Sequence, residues 1–141
     1  MRTSAAVAPL RAALWAVLSL SVIACNPSEP VGSATVTGAY TLRSINGAPL
    51  PYTSTAAGVQ TVFLDDVFNL YQGGTYAQTG HTRTTVNGVV TDAAPTATGT
   101  YSMLGTSLSL TVNGQQGLRI AIMNGRTMTI VEAGFTYVYR K

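Results

Sequence analysis

The side chains that most often build metal or nucleophilic sites are scarce in this sequence. Its 141 residues include one cysteine, one histidine and one tryptophan, and only 9% of them are charged. A lone cysteine excludes a disulfide within the chain, and zinc would need a cluster of cysteine and histidine ligands. The motif Gly-x-Ser-x-Gly and glycine-rich phosphate loops are missing. We therefore expect no metal, no cofactor and no catalytic residue, and we predict that the protein is not an enzyme.

Two features could still carry chemistry, the single histidine and the only adjacent acidic pair. His81 lies in a polar, threonine-rich stretch that is predicted to be a long hairpin arm, so we expect its imidazole to face solvent. Asp65 and Asp66 would point to opposite faces of a strand, and they could chelate one ion only if the chain turned there. A turn is expected at that point, which makes them hairpin residues. A hydrolase using His81 would need a nucleophile and an orienting carboxylate, and this hypothesis ranks last.

The N-terminus carries the clearest signal about location. Arg2 and Arg11 precede an uncharged run over 12–24, which is shorter than the ~20 apolar residues of a transmembrane helix. A basic start, a short apolar core and a small residue before a cut are typical of a secretory signal peptide. The ending VIAC, whose last residue is Cys25, resembles the lipobox of bacterial lipoproteins. The resemblance implies that residues 1–24 are removed and that Cys25 is diacylated, whereas a nearby cut without lipidation would leave a free thiol.

Anchoring and charge define the expected partners. Diacylation would hold the protein to a membrane of the cell envelope, with residues 25–36 as a Pro/Ser/Gly-rich tether spanning roughly 20 Å. Asn26 is not the aspartate that typically retains lipoproteins at the inner membrane, so an outer membrane is preferred. Without the signal peptide, six basic residues are balanced by five acidic ones, for a net charge of +1. Scattered arginines do not form the basic patch of a nucleic-acid-binding surface, and we expect no nucleic acid partner.

From about residue 37 onward the composition is that of β-strands. Twenty threonines follow Cys25, together with many β-branched and aromatic residues. Asn-Gly occurs at 46–47, 87–88, 113–114 and 124–125, and this dipeptide suits the type I′ hairpin turn. Apolar and polar residues alternate between the turns, as in strands with one buried face. The predicted strands are 38–45, 59–64, 66–71, 74–86, 97–103, 106–112, 117–123, 126–132 and 135–140.

This pattern predicts an all-β antiparallel fold, either a sandwich or a closed barrel. The short links between the last five strands favour an up-and-down barrel of about eight strands over residues 37–141. The last strand needs a partner, and pairing of 135–140 with 38–45 would close the sheet and remove both of its edges. We expect a single folded domain and a monomer.

Both ends of this region resemble the lipocalin superfamily. Gly38-Ala39-Tyr40 is similar to the Gly-x-Trp opening of lipocalins, with tyrosine for tryptophan, and Arg140 stands on the last predicted strand. The stretch GAYTLRSINGAPLP also resembles the start of small lipocalin-like bacterial lipoproteins. The resemblance implies that Arg140 packs over Tyr40 and closes the bottom of the barrel. From the residues alone, the two are equally well a strand aromatic and a chain-end charge. The chain lacks the second and third lipocalin motifs, the disulfide and the C-terminal helix.

The barrel interior is the remaining candidate for a function. The alternation points these side chains inward: Phe68, Leu70, Tyr76, Tyr101, Met103, Leu108, Leu110, Ile120, Ile122, Met128, Ile130, Phe135 and Tyr137. An eight-stranded barrel is either filled by side chains or holds one small ligand, and the sequence leaves both open. The ligand hypothesis assigns the wall to aromatic and methionine side chains, which are Phe68, Tyr76, Tyr101, Met103, Met128 and Tyr137.

We therefore expect a membrane-anchored envelope lipoprotein whose barrel binds a small apolar or amphipathic ligand. This function would need an internal cavity of several hundred Å³. The alternative is a non-enzymatic interaction or structural module that contacts another envelope protein or a polysaccharide. The loops predicted at 46–58 and 86–97 are the natural contact surfaces for that alternative.

Overall fold

The fold is given by a computed structural model that describes residues 36–141. The predicted signal peptide, Cys25 and all but the last residue of the predicted tether lie outside the described residues. The described chain forms β1 (Gly38–Ile45), β2 (Ala48–Pro49), β3 (Tyr52–Ala56), β4 (Val59–Leu70), β5 (Thr75–Val86), β6 (Val89–Ala93), β7 (Thr96–Leu104), β8 (Ser107–Val112), β9 (Leu118–Asn124), β10 (Thr127–Glu132) and β11 (Phe135–Arg140).

Eight of these strands form a closed antiparallel barrel. The order around it is β1, β4, β5, β7, β8, β9, β10 and β11, and β11 pairs with β1 to close the ring. The predicted fold class, an up-and-down barrel of about eight strands, is confirmed. The predicted meander of the last five strands is confirmed as well, and so is the pairing of the last strand with the first.

The two ends of the barrel differ in structure, and we call them the closed end and the open end. The closed end is the one at which β1 begins, and the turns at 71–74, 105–106 and 125–126 lie there. The open end is the one at which β1 ends. There β4 and β5 run beyond the barrel and pair with β3 and β6, which makes a four-stranded projecting sheet.

Turn chemistry explains two of the hairpins in this arrangement. Asn46 and Gly47, and likewise Asn87 and Gly88, all have positive φ, as a type I′ turn requires. At 113–114 and 124–125 only the glycine has positive φ, so the prediction of four type I′ turns is wrong for these two.

The projecting sheet corrects the prediction of two long loops. Residues 46–58 contain β2 and β3, and residues 86–97 contain β6 and the start of β7. Backbone groups of β4 and β5 beyond the barrel need hydrogen-bond partners, and β3 and β6 supply them. The Arg83 guanidinium also joins β5 to β6, since its Nε and Nη2 donate to the two Asp92 carboxylate oxygens at 2.7 and 3.1 Å.

A β-bulge corrects the prediction of a turn at the acidic pair. The predicted strands 59–64 and 66–71 are one strand, β4, with a register shift between Phe63 and Asp65. A bulge inserts an extra residue and re-aims the side chains that follow it. Asp65 is consequently opposite His81 on the outer face, whereas Asp66 is opposite Gly80 on the inner face.

The predicted inward face of β9 is wrong. Ile120 and Ile122 are 43% and 51% exposed, and Ala121 is fully buried instead. The neighbouring strands decide this orientation, because Ala121 is directly opposite Leu108 of β8 and Ile130 of β10, which are both buried. Directly opposite residues of paired strands share one face of the sheet. The same register turns Arg119 toward the interior.

A hydrophobic core fills the barrel from the closed end, and Ile45 extends it to the open end of β1. Its fully buried large side chains are Tyr40, Tyr76, Tyr139, Phe68, Ile45, Leu70, Leu108, Leu110, Met128 and Ile130. The Phe68 ring packs edge-on against Tyr139 at 5.2 Å and lies 5.6 Å from Tyr76. Packing there leaves no room for a further atom at Gly99. A Cβ on Gly99 would overlap the Thr111 carbonyl oxygen and lie 2.7 Å from the Tyr76 ring.

The side chain over Tyr40 belongs to Lys141 and not to Arg140. The Lys141 ammonium lies 6.0 Å from the centre of the Tyr40 ring and donates to the Thr37 carbonyl oxygen. Arg140 is exposed, since it alternates with the inward-facing Tyr139. The structure thus places a cation over the first-strand aromatic, as the resemblance implied, but it comes from the residue after the last strand.

Candidate functional site

A cavity of about 210 Å³ lies in the open half of the barrel. Its wall consists of Leu42, Phe63, Asp65, Asp66, Gln78, Gly80, Thr82, Pro95, Thr96, Ala97, Arg119, Glu132, Tyr137 and Tyr139. The volume is below the several hundred Å³ expected of a ligand site, and it exceeds the ~150 Å³ of an engineered cavity that holds benzene. The space therefore suits a compact molecule.

Asp66 is the acidic centre of this wall. Its Oδ2 accepts hydrogen bonds from the Tyr139 hydroxyl at 2.7 Å and from Gln78 Nε2 at 2.6 Å. Burial raises the pKa of Asp66 above its ordinary value, although both hydrogen bonds act in the opposite direction. The pKa of Tyr139 is also raised, first by burial and then by the Asp66 carboxylate. The Tyr139 hydroxyl consequently stays protonated and donates to Asp66.

Arg119 is the basic centre. Its Nη1 donates to Gln78 Oε1 at 3.0 Å, and its Nη2 lies 2.8 Å from Glu132 Oε2. The guanidinium carbon lies 5.5 Å from the centre of the Phe68 ring, which is the geometry of a cation–π contact. Arg119 therefore contacts both the polar side chains of the cavity wall and the Phe68 ring of the aromatic core.

Together these side chains form one chain of contacts around the barrel interior. It runs from Glu132 through Arg119, Gln78 and Asp66 to Tyr139. The five residues come from β10, β9, β5, β4 and β11, so the network exists only when the barrel is closed. We call these five residues the polar ring.

Two atoms of the polar ring are buried without a hydrogen-bond partner in the described part of the chain, Asp66 Oδ1 and Arg119 Nε. An unsatisfied buried polar atom destabilises a fold by about 1–3 kcal/mol. Gly80 keeps the space beside Asp66 open, since a Cβ there would lie 3.3 Å from Asp66 Oδ1. Functional sites often retain such locally unfavourable groups, although the Tyr40 and Tyr76 hydroxyls in the core are buried without a described partner as well.

Aromatic rings form the opposite, apolar side of the mouth. Tyr52 of β3, Phe63 of β4, and Phe135 and Tyr137 of β11 form one cluster whose contacting ring centres are 6.1–6.4 Å apart, and Phe63 and Tyr137 line the cavity itself. All four are only partly buried and pack against the core from the open end. Tyr52 comes from β3, so the projecting sheet completes this aromatic wall.

The residues predicted to line a ligand site fall into two groups. Tyr137 lines the cavity. Phe68, Tyr76, Tyr101 and Met128 are buried in the core, and Met103 is half-buried against it. Sequence reasoning selects large hydrophobic side chains, and these fill the closed half of the barrel instead.

The polar ring is absent from the sequence-based predictions. The sequence predicts a turn at Asp66 because a bulge has no simple sequence signature. It predicts an outward Arg119 because Leu118, Ile120 and Ile122 form the more hydrophobic face of β9. One signal could have suggested the correct orientation: Glu132 follows Met128 and Ile130 at every second position, these two are predicted to face inward, and an inward carboxylate needs a cationic partner such as Arg119.

His81 has the carboxylate neighbour that the hydrolase hypothesis required. Its Nδ1 lies 2.6 Å from Asp65 Oδ1, and both side chains are about half exposed on the outer face. The shallow depression around them is lined by Leu64, Asp65, His81, Thr82, Asp92, Ala93 and Ala94. Its one hydroxyl belongs to Thr82, which lies on the opposite face of β5 from His81. The pair is therefore an outer cross-strand contact without an adjacent nucleophile in this depression.

Within residues 36–141 there is no helix long and apolar enough to cross a membrane. The same residues contain no group of three or more His, Cys, Asp or Glu side chains that could hold a metal ion. No family model matches the chain, and neither a curated protein nor a solved structure matches it. The lipocalin resemblance therefore rests on the sequence motifs and on the barrel fold.

Proposed function

We propose that this is a membrane-anchored, lipocalin-like envelope lipoprotein that binds one compact amphipathic ligand in the open end of its barrel. The observation that carries the proposal is the cavity of about 210 Å³ with two unlike sides. The polar ring forms one side, and the aromatic wall of Tyr52, Phe63, Phe135 and Tyr137 borders the other. Binding sites are typically apolar with a few convergent polar groups, and this mouth has that composition.

The volume sets the size of the ligand. By comparison with the ~150 Å³ cavity that holds benzene, a cavity of this size accommodates on the order of eight to ten non-hydrogen atoms. A larger ligand would extend past the aromatic wall toward the projecting sheet. A fully apolar ligand would leave the charged groups of the polar ring without water or a partner, so a ligand with a polar group is favoured.

The anchor supplies the location. The lipobox-like ending at Cys25 supports diacylation, and two acyl chains hold a protein to a membrane far more firmly than one. We therefore place the barrel outside the cytoplasm, in the cell envelope. Labelled palmitate should be incorporated into the chain in a bacterial host and not into Cys25→Ser. Equal labelling of both would contradict the anchor.

Native mass spectrometry of the chain carrying Cys25→Ser, made in a bacterial host, tests ligand binding directly. The substitution removes the acyl site, so an added mass cannot be the anchor. We expect a discrete added mass that organic extraction removes. A bare polypeptide mass that stays unchanged after exposure to small amphipathic compounds such as indole and p-cresol would contradict the proposal.

A pair of variants on β7 provides the control. Ala97 lines the cavity, whereas its neighbour Thr98 points outward. Ala97→Leu should fill part of the space and lower the fraction of protein that carries the added mass. Thr98→Leu adds similar bulk outside and should leave that fraction unchanged. Equal occupancy in both variants would place the ligand elsewhere on the protein.

A second candidate, an interaction module, is favoured by an apolar stripe outside the barrel. Leu118, Ile120 and Ile122 of β9 and Val131 of β10 are 43–68% exposed. Contiguous exposed apolar side chains mark protein interaction sites in many proteins. Cross-linking in the envelope should then trap a defined partner that Ile120→Asp no longer reaches, while Thr98→Asp on β7 keeps it. No cross-linked partner would count against this candidate.

A further inference from the structure

The charges of the described residues are divided between the two ends of the barrel. The four carboxylate side chains, Asp65, Asp66, Asp92 and Glu132, all lie in the open half or on the projecting sheet. The three ion pairs found among residues 36–141 also lie there, and they use His81, Arg83 and Arg119. The remaining four cationic side chains therefore have no carboxylate partner in the described chain.

These four cations form one continuous surface. Arg43, Arg140 and Lys141 line a single shallow groove on the outside of β1 and β11. Arg126 continues it at the turn between β9 and β10, because the Lys141 amide donates to the Arg126 carbonyl oxygen at 3.0 Å. All four side chains are exposed. We call this the basic surface; it begins at the closed end and extends up the side of the barrel.

The rim of the closed end adds exposed apolar side chains. Leu104, at the turn between β7 and β8, is 85% exposed, and Tyr71, just after β4, is 50% exposed. The rim thus combines apolar and basic side chains without an acidic one among the described residues. This is the composition of protein surfaces that rest in the interface of a bilayer.

The chain also enters the barrel at this end. β1 begins at Gly38, and Cys25 precedes the first described residue, Val36, by eleven positions. The tether that the composition of residues 25–36 predicts would span roughly 20 Å. An anchored Cys25 would therefore hold the closed end within that distance of the membrane.

We propose that the basic surface and the rim of the closed end dock onto a membrane that contains anionic lipids, so that the open end faces away from the bilayer. The docking geometry rests on the proposed anchor at Cys25. Attraction of basic side chains to anionic headgroups falls off within a Debye length of about 8–10 Å, which is shorter than the tether, so the anchor brings the surface near the bilayer and the basic side chains complete the contact. Docking leaves the ligand cavity accessible from the aqueous side.

Vesicle sedimentation of the chain carrying Cys25→Ser tests docking without the acyl chains. We expect it to bind vesicles of equal parts phosphatidylglycerol and phosphatidylcholine, to bind much less to phosphatidylcholine alone, and to be released by high salt. The apolar run at 12–24, if retained, would raise binding to both kinds of vesicle equally. The difference between the two lipid compositions is therefore the readout.

Substitutions distinguish the effect of the basic surface on vesicle binding from the effect of the protein's net charge. Arg43→Gln, Arg126→Gln and Arg140→Gln combined should weaken binding to the anionic vesicles by about tenfold or more. Arg126→Gln alone should weaken it measurably. Arg83→Gln removes the same charge from the projecting sheet and should leave binding unchanged. All of these side chains are exposed, and circular dichroism verifies that each variant is folded.

Three results would overturn the docking proposal. They are equal binding to the two vesicle compositions, undiminished binding of the triple variant, and capture by soluble polyphosphate without binding to vesicles. The last result would assign the basic surface to a soluble anionic polymer. Failure of palmitate labelling at Cys25 would overturn the anchor and leave this vesicle measurement standing, so the two failures are distinguishable.

Discussion

The closed half of the barrel is packed with aromatic rings, whereas the open half keeps charged side chains around a cavity. Phe68, Tyr76 and Tyr139 fill the first with ring centres 5.2–5.6 Å apart. Among the described residues each half keeps two buried polar atoms without a partner, the Tyr40 and Tyr76 hydroxyls in the first, and Asp66 Oδ1 and Arg119 Nε in the second. The halves therefore differ in charge and in free space: the closed half is filled with rings, and the open half holds buried charged groups beside a cavity. This difference is the reason that the proposed ligand site is assigned to the open half.

Truncation of Phe68 should cause the largest loss of stability. Its ring is fully buried and supports both Tyr139 and the Arg119 guanidinium. Phe68→Ala should lower the free energy of unfolding by about 3–5 kcal/mol, measured by urea denaturation. Phe135→Ala, at the half-buried aromatic wall, is the matched variant and should lower it by less. Equal losses would mean that the open half is packed as firmly as the closed one.

Two inward-facing glycines provide the next comparison. Gly99→Ala should destabilise the protein by about 1–3 kcal/mol, because its Cβ would overlap the Thr111 carbonyl oxygen and press on Tyr76. A Cβ at Gly80 would lie 3.3 Å from its nearest neighbours, so Gly80→Ala should destabilise the protein less. Both are read from urea midpoints. A larger loss for Gly80→Ala would reverse the assignment of the solid and the open half.

The pH dependence of stability should report on Asp66. Burial raises its pKa, so the folded protein binds this proton more tightly than the unfolded chain. The contribution of Asp66 to stability therefore falls as the pH rises from the ordinary aspartate pKa to the raised value, and it is constant above that. Asp66→Asn should remove this fall, which is measured as the change in the free energy of unfolding by urea denaturation as the pH rises above the ordinary aspartate pKa.

Asp92 provides the control for the pH dependence of stability, because its pKa is shifted in the opposite direction. The hydrogen bond from Arg83 lowers the pKa of Asp92, so its contribution to stability rises with pH up to the ordinary aspartate pKa, below the range in which the Asp66 contribution falls. Asp92→Asn should therefore change the pH profile in the direction opposite to Asp66→Asn. Parallel changes in the two variants would show that burial in the polar ring does not control Asp66.

The smallest effect is expected at the chain end. Lys141 lies over Tyr40, and Lys141→Ala should lower the free energy of unfolding by about 0.5 kcal/mol. Arg140 is exposed, and Arg140→Ala should leave it unchanged. A larger loss of stability in Arg140→Ala than in Lys141→Ala would instead support packing of Arg140 over Tyr40, as the lipocalin resemblance implied.

Features with a local chemical signature could be predicted from the sequence. Alternation and turn dipeptides identify the barrel strands, and the need of the last strand for a partner predicts its pairing with β1. The two outer strands of the projecting sheet, β3 and β6, were not predicted, because Tyr52–Ala56 and Val89–Ala93 are polar or exposed on both faces. Without one buried face, a strand has no alternation to detect.

The polar ring could not be predicted, because it depends on register. The bulge after Phe63 keeps Asp66 inside one strand, in phase with the buried Phe68, where the sequence predicts a turn; the neighbours of Ala121 turn Arg119 inward. On β9 the more hydrophobic set of side chains faces outward, so a rule that buries the hydrophobic face gives the opposite answer. Long-range pairing, which a single sequence does not reveal, decides both cases.

A nuclear magnetic resonance comparison tests most directly the claim that binding is confined to the open half. Amide spectra of the Cys25→Ser chain, as purified and after organic extraction, would show where a bound molecule lies. The account predicts shifts at Phe63, Asp66, Ala97 and Arg119, and unchanged signals at Tyr40, Tyr101 and Met128. Shifts centred on the closed half, or identical spectra before and after extraction, would contradict it.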